Sequence, residues 1–132
     1  MNTRFSMVLL SVLLLAGCSV LPTSVSQNPA VKSLVDQAGM HTSSGDYEQA
    51  SASLERALRI EPRNAVLWQQ LALVRIEQEL FVQAENLAAK SNALVGDNRR
   101  LRKKNWLIIA DARSRRGDIK GAQAAQDRAA RQ

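Results

Sequence analysis

The sequence predicts an all-α fold, a solenoid of three stacked helix-turn-helix units over residues 31–132. Two observations carry that expectation. The first is internal repetition. Displaced by 34 positions, Leu34 meets Trp68, Ala38 meets Ala72, Tyr47 meets Phe81, Ala50 meets Ala84, Ile60 meets Leu94 and Asn64 meets Asn98. Displaced by a further 38, Trp68 meets Trp106, Leu71 meets Ile109, Ala72 meets Ala110, Phe81 meets Ile119 and Ala84 meets Ala122. Self-similarity at such a period is the mark of a stacked repeat architecture. The second is helical spacing of apolar residues, as in Trp68, Leu71, Ala72 and Ile76, with small residues where helices must approach closely. A length of 132 residues, 45% hydrophobic and 23% charged, agrees with one small folded domain rather than a disordered chain.

Taken in chain order, the first segment is an export signal. Arg4 supplies a positive start, and Phe5 to Leu15 forms an apolar run of 11 residues broken only by Ser6 and Ser11. Such a run is too short to cross a ~30 Å hydrocarbon core as a lasting helix, and it suits the hydrophobic part of a secretory signal. Small residues Ala16 and Gly17 then precede Cys18. Residues 18–30 read as a tether, because Ser19 to Ala30 is uncharged and holds Pro22 and Pro29.

Six helices are expected beyond it, near 31–44, 46–60, 65–78, 81–95, 100–116 and 118–130. Gly45 and Gly117 suit the left-handed residue that ends a helix. Asp46 with Gln49 has the form of a capping box, Pro62 stops the second helix, and Asn64 can cap the third. The repeats fall at about 31–64, 65–98 and 103–132, with four extra residues, about one helical turn, within Asp97 to Lys104. The last helix, rich in Ala, Gln and Arg, suits a cap with a wet outer face.

These repeats resemble the tetratricopeptide repeat. The first unit carries Gly45-Asp46-Tyr47, Ala50, Ala57-Leu58 and Pro62. The second carries Trp68, Leu71-Ala72, Phe81 and Ala84, and the third Trp106, Ile109-Ala110, Gly117-Asp118, Ala122 and Ala129. The resemblance implies a right-handed solenoid of three units. Departures from the pattern are Leu34 for Trp, Gln37 for an apolar residue, Glu79-Leu80 for Gly-Asp, and a third unit that stops at Gln132 before the usual Pro. Leu15-Ala16-Gly17-Cys18 is similar to a bacterial lipobox. That resemblance implies a diacylglyceryl group on the Cys18 sulfur, cleavage before Cys18 and acylation of the new amine. The competing reading is an ordinary signal peptide with an incidental Cys. Ser19, in place of Asp, implies the periplasmic face of the outer membrane.

Catalytic chemistry is not expected. One Cys and one His exclude an internal disulfide framework and argue against a structural zinc site. His41 is expected to be a packed structural residue. No Ser-His-Asp set or phosphate-binding glycine loop is readable. Trp68 and Trp106 are expected to pack rather than to stack on a ligand. No cofactor or metal is expected beyond the lipid on Cys18.

Charge is distributed unevenly. Residues 31–98 hold six basic and nine acidic side chains, and residues 99–132 hold eleven and three. A basic patch is expected from Arg99, Arg100, Arg102, Lys103 and Lys104, joined by Arg113, Arg115 and Arg116. Export argues against nucleic acid. Anionic headgroups, an acidic protein and an anionic wall polymer remain, beside a helix surface that is simply solvated.

In the tetratricopeptide family the first helix of each unit lines a concave groove. That resemblance makes Val35, Gly39, Thr42, Val66, Gln69, Leu73, Ile76, Lys104, Leu107 and Asp111 the candidate partner-binding surface. Gln69, Leu73 and Leu107 do not supply the Lys and Asn set with which some relatives grip a terminal carboxylate. The expected function is therefore a lipid-anchored periplasmic adaptor without chemistry of its own. It resembles the repeat-type outer-membrane lipoprotein activators of bifunctional penicillin-binding proteins, which implies such a synthase as partner. The alternatives are a pilotin or assembly factor for a pilus or secretin, and a subunit of an outer-membrane assembly complex.

Overall fold

The computed structural model describes residues 25–132. The expected export signal and the lipobox-like Leu15, Ala16, Gly17 and Cys18 lie outside the described residues. Six helices follow one another: α1 Pro29–Ser43, α2 Tyr47–Ile60, α3 Ala65–Glu77, α4 Phe81–Leu94, α5 Arg99–Arg115 and α6 Ile119–Ala130. Every boundary falls within two residues of its expected place. Each helix packs on its successor, and α3 also touches α5.

The helices start where short polar side chains can bond free backbone N–H groups. Asn28, Asp46, Asn64, Asn98 and Asp118 accept from the N–H of Ala30, Gln49, Val66, Leu101 and Gly121, at 2.9, 3.2, 3.0, 3.0 and 2.9 Å. Only α4 lacks such a cap: Leu80 precedes it and makes no side-chain bond. The turns into α2 and α6 use Gly45 (φ 77°) and Gly117 (φ 86°), as expected. The turn into α4 puts Glu79 in the same left-handed region, at φ 60°. A residue with a Cβ is strained there.

Two apolar clusters form the core. One joins Val31, Leu34, Ala50, Leu54, Ala57, Leu67, Leu71 and Val74 from the first three helices. The other joins Ala72, Ile76, Ala84, Ala88, Ile108, Ile109, Ala112 and Ala125 from the last four. Leu87 packs against both. Ala50, Ala72 and Ala84 are fully buried at helix contacts, where a larger side chain would push the helices apart.

A buried polar layer also ties α3, α4 and α5 together. Gln69 Nε2 donates to Asn105 Oδ1 at 2.8 Å. Asn105 Nδ2 donates to Ser91 Oγ at 2.7 Å and to Asn92 Oδ1 at 3.0 Å. Ser91 Oγ donates to the Ala65 carbonyl at 2.7 Å. Asn105 and Ser91 are wholly buried. Such bonds are directional, so they fix the register of α3 against α5 more sharply than apolar contact does.

One expectation is corrected. The expected tether does not run to Ala30. Asn28 caps α1, Val25 packs on the first core cluster, and the Val25 carbonyl accepts from Asn64 Nδ2 at 2.8 Å. Ser26 Oγ also donates to Glu61. These bonds dock residues 25–28 on the α2–α3 junction. The third unit carries the extra turn expected within Asp97 to Lys104. Its first helix has 17 residues where α3 has 13, so the four extra residues form an additional turn at its start.

Restoring Gly-Asp at the α3–α4 turn should relieve the strain at Glu79 and cap α4. Glu79→Gly with Leu80→Asp is expected to stabilise the fold by about 1–2 kcal/mol, read as a higher midpoint in urea with an unchanged slope.

Candidate functional site

The inner helices α1 and α3 stand side by side, with α2 behind them. Between them lies a concave cleft of about 500 Å³. Val35, Gly39 and Thr42 line it from α1, and Gln70, Leu73 and Glu77 from α3. The walls are half-buried or exposed, and Leu73 is 47% exposed. An apolar floor with a polar rim suits an inserted apolar side chain from an extended or helical segment.

The candidate groove residues divide. Val35 and Leu73 meet in the cleft, with Gly39 and Thr42. Val66, half-buried at the start of α3, and Lys104, Leu107 and Asp111 on α5 lie outside it. Leu107 is 48% exposed, and Asp111 accepts from Arg115 Nε at 3.0 Å. Gln69 and Ile76 are corrections. Gln69 is 7% exposed because it turns to Asn105, and Ile76 is 4% exposed because it packs in the second core cluster. Their side of α3 is covered by the third unit. The helical stripe of Val66, Gln70, Leu73 and Glu77 is the face that stays open. Gln70 and Glu77 were readable from that spacing. Asn105 was readable as a polar residue displaced by 38 from the core position Leu67.

The basic patch also divides. Arg113 Nε bonds Glu85 Oε1 at 2.8 Å, and Arg116 Nη2 bonds Glu85 Oε2 at 3.0 Å. The bond to Glu85 raises the Arg113 pKa above its ordinary value against the opposing effect of burial. Arg115 pairs with Asp111. These three therefore belong to an ion-paired cluster near the end of α5, about 20 Å along the helix from its first turn. Arg99, Arg100, Lys103 and Lys104 stay exposed, with no carboxylate at ion-pair distance among the described residues. Arg102 donates to the Gly96 carbonyl.

His41 is half-buried, with Nδ1 3.8 Å from Asp46 Oδ2 at the α1–α2 turn. Trp68 and Trp106 pack against the two clusters, at the partly buried margin rather than inside. Trp68 Nε1 donates to the Pro62 carbonyl at 2.8 Å, and the Arg128 guanidinium lies 4.8 Å from the Trp106 ring centre. Among the described residues no helix is long and apolar enough to cross a membrane, and no three His, Cys, Asp or Glu side chains gather as a metal site.

This architecture has close counterparts among known proteins. The tetratricopeptide repeat family pattern matches residues 41–105. The solved globular C-terminal domain of P. aeruginosa LpoP is 36% identical over 79% of this chain and 98% of that one, with a TM-score of 0.76. The chain belongs to the tetratricopeptide repeat family. Among curated proteins nothing matches it. Repeats of this family are protein-interaction modules that present an extended concave surface, and a protein partner is the corresponding reading of the cleft.

The placements of Leu73 and Ile76 make opposite demands. Ile76→Ala is expected to cost about 2–4 kcal/mol in chemical denaturation, whereas Leu73→Ala should stay within about 0.5 kcal/mol of the parent.

Proposed function

We propose that this chain is a lipid-anchored periplasmic adaptor of the outer membrane that binds and activates a bifunctional penicillin-binding protein. The observation that carries this reading is the likeness to the LpoP globular domain, at 36% identity across nearly the whole of that domain. The similarity of Leu15-Ala16-Gly17-Cys18 to a lipobox supports the anchor. Several acyl chains hold a protein at a bilayer far longer than one, because each buried CH₂ contributes about 0.8 kcal/mol. The adaptor needs no chemistry of its own. Seating a segment of the synthase in the cleft stabilises whichever synthase conformation presents that segment, and differential affinity for that state shifts its population.

The partner segment inserts an apolar side chain between Val35 and Leu73, with Gln70, Thr42 and Glu77 on the rim. A carboxylate at Leu73 would have to be desolvated in that contact. Leu73→Glu is therefore expected to weaken synthase binding at least tenfold, about 1.4 kcal/mol, and to reduce stimulation of glycan polymerisation while helicity by circular dichroism is unchanged. Full binding by the folded variant would remove the cleft from the interface. The anchor has its own test. Cys18→Ser should leave an unacylated precursor, read by mass spectrometry and by loss of outer-membrane fractionation, and normal processing with unchanged partitioning would refute it.

A further inference from the structure

We propose that the end of the solenoid from which the tether leaves is a seat for an anionic phospholipid surface, made by the extra first turn of α5 and the α2–α3 junction. This rests on the lipid-anchor reading above and adds an orientation to it.

A chain of contacts places these parts at one end of the molecule. Residues 25–26 bond Asn64 and Glu61 at the α2–α3 junction. Ser91, late in α4, bonds the carbonyl of Ala65, the first residue of α3. Asn105, in the second turn of α5, bonds Ser91 and Gln69. The tether root, the α2–α3 junction, the end of α4 and the start of α5 therefore share an edge. Seven residues from Cys18 to Val25 can span at most roughly 25 Å, so acylation of Cys18 would hold this edge near the bilayer.

The edge is also where the repeat breaks its own period. The four-residue excess of α5 over α3 is an added turn, and its sequence begins Arg99-Arg100-Leu101-Arg102, followed by Lys103 and Lys104. Leu101 faces inward at 9% exposure and ties the turn to the core. Five of the other residues at 99–104 are positive and none is negative. No acidic residue occupies the first turn of α5. Positive charge at a helix start opposes the helix dipole, which makes this turn electrostatically unfavourable in the free domain and favourable beside phosphate. Arg59 precedes the neighbouring junction and Arg63 lies in it, Glu61 there accepts from Ser26 and Asn64, and Ile60 is 45% exposed. An exposed aliphatic residue among cations matches a headgroup layer above hydrocarbon. Seated this way, the helices stand upright, and the α1–α2, α3–α4 and α5–α6 turns face away from the lipid.

The test uses the mature acylated protein bound to vesicles of phosphatidylcholine alone or mixed with phosphatidylglycerol. Amide hydrogen exchange at residues 59–64 and 97–104 should be several-fold slower on the mixed vesicles, with 77–82 and 113–120 unaffected. High salt should erase the difference. Arg99→Glu with Arg100→Glu and Lys103→Glu should abolish it and raise the melting temperature, since acidic groups suit a helix start. Equal exchange on both vesicles overturns the proposal and returns the basic edge to an acidic polymer or protein. Flotation with pure phosphatidylcholine reports the acyl anchor separately. A protein that fails to float there lacks the anchor, and its binding to phosphatidylglycerol vesicles still decides the charge of the seat.

Discussion

A helix hairpin of this size cannot cover its own apolar face. That constraint governs everything else in the molecule. Each unit contributes residues to a core it shares with the next: Leu54 and Leu67 pack in one cluster, Ile76 and Ile109 in the other. The alanines at the crossings let the helices come close enough for dispersion contacts to accumulate. Stability is therefore distributed between neighbours, as in other repeat folds, and the inner surface is what remains once those faces are covered.

Within that scheme the Gln69–Asn105–Ser91 layer adds specificity. Apolar packing tolerates a slide of one helix along another. A buried amide pair does not, because a slipped register leaves its donors and acceptors unsatisfied in a low-dielectric interior. The layer sits where the 34-residue period gives way to 38, and it holds α5 in the shifted register. The extra turn thus projects beyond the start of α3 as a defined element. The cleft between α1 and α3 and the basic turn of α5 are both consequences of one stacking geometry.

The cleft and the basic edge have different characters. The cleft is weakly polar and depends on shape. The basic edge depends on charge. Counting charges along residues 99–132 merges two populations that the fold separates. Glu85, from α4, pairs with both Arg113 and Arg116, while among the described residues no carboxylate reaches Arg99, Arg100, Lys103 or Lys104. A net charge per segment reports composition, whereas potential at a surface depends on which carboxylates other helices bring near.

The six helices and the two glycine turns were legible in the sequence because capping, periodicity and left-handed termination act within a few residues of each other. Asn64 caps α3 and Gly45 ends its turn through bonds that local sequence contains in full. The tertiary structure decided what depends on distant partners. Ile76 and Leu73 are both apolar and three apart on one helix, yet Ile76 is covered by the third unit and Leu73 is not. Gln69 looked like a polar groove residue until Asn105, 36 positions away, took its amide. Burial is set by neighbours that arrive from far along the chain, and no local pattern in α3 records which of its faces they will cover.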